Sequence, residues 1–160
     1  MRCGAADVVG EPDTTDGRAG GQPDGLLVVD SSALLRRYVA DRHRPLVMTT
    51  MAAARHWVAS AAARAEVMLA LHQAAGDAGS QRVAWSAVRD DWEALWEVPV
   101  DARCLFRATE IGARYAIPLQ PALHLAAADR FPGPVRFLTF DRRQIPAGAD
   151  LGFEVVSPAA

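Results

Sequence analysis

Residues 26–38 read LLVVDSSALLRRY: four apolar residues, an aspartate, two serines, then apolar residues at helical spacing. So short an apolar run suits a strand buried on both faces. Leu34, Leu35 and Tyr38 at helical spacing predict a helix over 31–40 directly after it. A second apolar run, VRFLTF before Asp141, repeats the pattern near the other end of the chain. Further strands are expected at 57–59 and 153–156, with a short extended piece at 97–100. Helices are expected over 45–55, from Ser60 as N-cap to about Ala75 with Gly76 closing it, over 81–95, from Asp101 to Tyr115, and over 122–130 behind Pro121. Strands alternating with helices imply an α/β fold with a central parallel sheet.

In an open parallel sheet, sites form in the crevice beyond the carboxyl ends of the strands. Asp30 and Asp141 each end an apolar run, so one sheet would bring both carboxylates to one cleft. Carboxylates held together bind a hard divalent cation and support metal-assisted chemistry. Each also has an ordinary alternative: Asp30 as a helix N-cap, Asp141 as a turn residue. Thr139 shares a strand face with Asp141 and can orient a carboxylate there. Glu66 sits in AAARAEVMLALHQAA, a helix apolar on nearly all sides, where a carboxylate needs a partner. That partner is either a metal or an arginine such as Arg64. His124 reads first as a packed, hydrogen-bonded histidine and second as a base. Trp57, Trp85, Trp92 and Trp96 read as core or interface residues.

Bulk properties narrow the function classes. The 160 residues fit one domain. Residues 1–24 carry two arginines against five acids, and the remainder fifteen arginines against fourteen acids. The folded part is thus close to neutral and does not announce a nucleic-acid binder by charge. All 17 basic residues are arginine; lysine is absent. Residues 1–25, rich in Gly, Asp, Thr and Pro, are expected to be a disordered tail, with the domain at 26–157. The two cysteines make no disulfide framework, and no span is apolar enough for a membrane or a signal peptide. The expectation is a cytoplasmic protein.

Taken together, VVDSSALLRRYV, SAAARAEVMLAL, IPLQPALHLAAADR and VRFLTFDRR resemble the sequence blocks of the PIN-domain family, and most of all the VapC-type toxins of toxin–antitoxin systems. The likeness runs from Leu26 to Val156. It implies a three-layer α/β/α sandwich and an acidic cleft that binds Mg²⁺ or Mn²⁺ and hydrolyses RNA. By the same resemblance Asp30, Glu66 and Asp141 are the catalytic and metal-binding acids, an antitoxin is the protein partner, and the chain forms a homodimer. Arg36, Arg37, Arg142 and Arg143 would hold RNA phosphates if they rim the cleft.

One block departs from the family. Where the helix usually opens DALHLAAA, this chain reads PALHLAAA, and Pro121 replaces a metal-binding aspartate. Gln120 is expected to point elsewhere, and Asp129 lies roughly 12 Å farther along a helix. His124 shares a face with position 121, but imidazole suits Mg²⁺ poorly. The expectation is weakened metal affinity and low or absent ribonuclease activity, or else a catalytically inactive domain that binds an antitoxin or a related subunit. A receiver domain and a dehalogenase-like phosphatase also place an aspartate after the first strand. Both need a lysine, and the phosphatase a second acid where Ser32 stands.

Overall fold

The computed structural model describes residues 25–158; the expected tail at 1–25 lies outside them but for Gly25. Twelve elements follow in order among the described residues: β1 (Leu26–Val29), α1 (Ser31–Tyr38), α2 (Arg44–Ala53), β2 (His56–Ser60), α3 (Ala61–Ala74), α4 (Ala78–Ala94), β3 (Leu95–Val98), α5 (Ala102–Tyr115), α6 (Leu119–Ala128), β4 (Arg136–Leu138), α7 (Gln144–Asp150) and β5 (Glu154–Val156). The five strands form one all-parallel sheet in the order β3-β2-β1-β4-β5, with helices on both faces.

Strand alternation builds the three layers. Val28, Val58, Val98 and Phe137 face one way, onto Ala108 and Ile111 of α5, Leu125 and Ala126 of α6, and Ala147 of α7. Leu27, Val29, Ala59, Leu95 and Leu138 face the other way, onto Leu34 of α1, Met51 of α2, Val67 of α3 and Trp92 of α4. Both faces of β1 are therefore covered, as its unbroken apolar run requires.

Local chemistry sets the helix starts. Asp30, Ser60, Asp77 and Asp101 each cap a helix, the side chain accepting a first-turn backbone N–H. α6 begins three residues earlier than expected, after Pro118, which puts Pro121 at its third position. Proline fits there because first-turn N–H groups have no intrahelical acceptor. Ala122, Ala126, Ala127 and Ala128 are fully buried, so α6 lies close against the sheet and α5. At the α5–α6 turn Ala116 is left-handed (φ 53°), and a Cβ on Gly112 would come within 3.1 Å of Ile117 O.

Several boundaries move. α1 stops at Tyr38, and α4 starts at Ala78 under the Asp77 cap. The extended piece expected at 97–100 is β3 at Leu95–Val98, held by its pairing with β2. α3 ends on an extended Ala75, without a left-handed glycine. The helix α7 has no counterpart among the sequence expectations, since QIPAGAD carries both a proline and a glycine.

Candidate functional site

From β1 the chain goes to β2 on one side, and it later returns to β4 on the other. The sheet order thus reverses at β1, where open α/β sheets form their binding crevice. Asp30 follows β1 directly, and Asp141 stands just beyond β4. Both line one cleft of about 150 Å³, together with Pro121, His124, Arg143 and Gln144. Glu66, midway along α3, lines an adjoining hollow of about 190 Å³ that shares Ser31, Ser32 and Gln120 with the cleft. The structure brings Asp30 and Asp141 together and sets Glu66 next door.

Asp30 is buried, and protein donors surround its carboxyl group. Ser32 Oγ lies 2.8 and 2.9 Å from its two oxygens, Ala33 N–H donates to Oδ1 at 2.9 Å, and Thr139 Oγ1 lies 2.9 Å from Oδ2. Thr139 brings one hydroxyl proton to two acceptors, because Gln144 Oε1 also lies against it. Gln144 is fully buried and its Nε2 donates to Pro121 O at 3.0 Å, so its amide cannot turn over to supply a second donor. A proton on Asp30 completes the set: Asp30 to Thr139, and Thr139 to Gln144. Burial raises the Asp30 pKa in the same sense, against the lowering pull of His124 and the hydrogen bonds.

Glu66 pairs with His124, not with an arginine. His124 Nε2 lies 3.1 Å from Glu66 Oε2, and Nδ1 lies 2.9 Å from Ser60 Oγ. Ser31 Oγ is 3.4 Å from Nε2. The imidazole is buried and bonded at both nitrogens, the first of its two readings. Arg64 instead lies over the Trp92 ring, 5.6 Å from its centroid. Gln120, expected to point elsewhere, lines both the cleft and the hollow that holds Glu66. Burial works to raise the Glu66 pKa, but His124, aided by Ser31 and Gln120, outweighs it and holds it low.

Asp141 is held by Arg143. Arg143 Nε lies 2.9 Å from Oδ1 and 3.2 Å from Oδ2, Nη2 lies 2.7 Å from Oδ2, and the Arg143 backbone N–H donates to Oδ1 at 2.9 Å. The side-chain bonds from Arg143 hold its carboxyl below the usual aspartate range.

Mg²⁺ demands a near-octahedral set of oxygen ligands, commonly anchored by one or two carboxylates plus waters and substrate. Among the described residues no group of three or more His, Cys, Asp and Glu side chains is placed to hold a metal ion. The Asp30 oxygens are taken by protein donors, Asp141 by a guanidinium and Glu66 by an imidazole. Pro121 offers only its carbonyl, which Gln144 occupies. As arranged, each of the three carboxylates would have to give up a protein partner to take a divalent cation.

The four arginines expected to hold phosphate are differently placed. Arg37 forms a two-pronged pair with Asp91, whose Oδ2 also accepts from Tyr38 at 2.9 Å. The Arg36 guanidinium lies over Phe140 at 4.2 Å and 3.5 Å from Asp41. Arg143 lines the cleft on Asp141, and Arg142 is exposed. Of the tryptophans, Trp92 is buried while Trp96 is 51 % exposed.

A solved toxin–antitoxin complex from Klebsiella pneumoniae contains a chain of similar fold. The two superpose with a TM-score of 0.61 over 83 % of this chain and 98 % of that one, at 16 % identity. At that identity the likeness is one of fold. No family profile and no curated protein matches the sequence. No helix among the described residues is long and apolar enough to cross a membrane.

Gln144 is the site residue that sequence reading missed. Its signal was faint: a polar residue directly after a basic pair, in a segment punctuated like a loop. His124 carried a stronger one, as the single polar side chain in the run PALHLAAA.

Proposed function

We propose that this chain is the toxin-like member of a toxin–antitoxin pair, built on a PIN-like domain, and that it acts by binding its antitoxin-type protein partner, with metal-dependent ribonuclease activity lost. Pro121 carries the reading. It stands in the cleft wall where the resembled family has a metal-binding acid, and its one oxygen is bonded to Gln144. A cleft with two carboxylates, one of them closed in by protein and the other paired with a guanidinium, offers little free negative charge to draw Mg²⁺ to phosphate. The fold shared with a chain of a toxin–antitoxin complex supports the partner class.

The test is co-purification with a co-expressed candidate antitoxin, in EDTA and then in Mg²⁺. The reading expects a complex of the same stoichiometry in both, and no cleavage of a mixed RNA pool by the free chain. No complex in either buffer counts against it.

A second reading keeps catalysis. Asp30 and Asp141 share one cleft at the switch point of the sheet, which favours a weak nuclease using Mg²⁺ or Mn²⁺ with Asp30, Glu66 and Asp141 as its acids. RNA cleavage by the wild type that Asp30→Asn abolishes would establish it.

A further inference from the structure

The charge balance of the cleft leads beyond partner binding. Asp141 has both carboxylate oxygens filled by one residue two positions on, through the Arg143 side chain and backbone. The turn that permits this is closed by Gln144 N–H donating to Asp141 O at 3.0 Å, and Gln144 is itself anchored in the buried network. Arg143 is therefore not a side chain drifting over the surface at random. Its backbone is fixed by a buried neighbour, and its guanidinium lines the same cleft as Asp30 and His124.

We propose that Arg143 is the resident cation of the cleft, an internal plug that occupies Asp141 and competes with divalent metal for it. A guanidinium keeps its charge at every accessible pH, so the plug does not leave by titration. It leaves only by swinging out. The Arg143 side chain is 55 % exposed, and pairs that open to water are weak. Releasing it therefore changes cation affinity by at most about fivefold, the factor for the upper end of an exposed pair. The missing ligand at position 121 is a separate obstacle in the same cleft. This inference is tested on the chain alone, without RNA or a protein partner, so its failure leaves the partner-binding reading standing.

The experiment is calorimetric titration of the full chain with Mn²⁺, and with Mg²⁺ by thermal shift. The variants are Arg143→Ala and Arg142→Ala, each in the wild-type background and with Pro121→Asp. Arg142 is exposed, adjacent and equally charged, so its removal reports the general loss of positive charge. The plug predicts severalfold tighter Mn²⁺ binding for Arg143→Ala than for Arg142→Ala in the Pro121→Asp background. In the wild-type background it predicts a smaller gain of the same sign. Equal effects of the two arginine variants, or no effect of either, overturn it. So does tight Mn²⁺ binding by the wild type.

Discussion

Thr139 Oγ1 lies 2.9 Å from Asp30 Oδ2 across the parallel pair β1–β4, with both residues buried. This contact joins the first strand to the penultimate one, and Gln144 extends it to Pro121 on α6. Three elements distant in sequence are thus tied at one point by hydrogen bonds that water does not replace.

Removing that hydroxyl is costly. Thr139→Val keeps the volume but leaves Gln144 Oε1 without its donor and the Asp30 proton without its acceptor. We predict a loss of about 1–3 kcal/mol, the cost of orphaned buried polar groups, measured by urea denaturation. Thr139→Ser keeps the donor and loses less. Equal losses for Val and Ser place the effect in packing instead.

Stability should depend on pH through Asp30 in a specific direction. Its folded pKa is raised above the ordinary 3.8. The stabilising contribution is complete below that value and is lost as pH rises through the folded pKa. Glu66 and Asp141 are shifted downward and act oppositely, losing their contribution as pH falls through their folded values. Asp30→Asn isolates the first effect, because a neutral amide imitates the protonated carboxyl and can donate to Thr139. We predict that the Asp30→Asn variant gains stability relative to wild type as pH rises from about 4 to about 7. A stability difference that stays flat, or that shifts in favour of the wild type over that range, contradicts the protonated assignment.

His124 supports Glu66 and Ser60 together. His124→Phe fills the space but takes one partner each from a buried hydroxyl and a half-buried carboxylate, at a cost of about 2–3 kcal/mol. His124→Gln, able to reach one partner, falls between. The equilibrium unfolding midpoint reads both.

Arg37 should behave as a structural residue. Its pair with Asp91 is only 19 % exposed on each side, and charge-assisted bonds of that kind contribute roughly 1–3 kcal/mol. We predict that Arg37→Ala lowers stability by that amount without changing the salt dependence of RNA binding. A reduced salt slope at unchanged stability would assign Arg37 to phosphate instead.

How far the sequence carried the reading depended on range. β1, the Asp30 cap and the Ser60 and Asp101 caps were legible because strand content and capping are local properties of a few residues. The parallel sheet followed from alternation of elements, and with it the meeting of Asp30 and Asp141. α7 was not legible, since its proline and glycine read as loop while Ala147 and Gln144 pack inward for tertiary reasons. The partner of Glu66 was not legible either. Arg64 is near in sequence, but α3 turns it onto Trp92, and the partner comes from α6, 58 residues away. The departure at Pro121 stood out at once, whereas the commitment of its carbonyl to Gln144 needed the fold.

The most direct test of the account is cleavage of a mixed RNA pool in Mg²⁺ and then Mn²⁺ by wild type, Asp30→Asn and Pro121→Asp. The account predicts an inert wild type, with any gain of activity confined to Pro121→Asp. Metal-dependent cleavage by the wild type that disappears in Asp30→Asn would contradict it and make the chain a working nuclease with three acids.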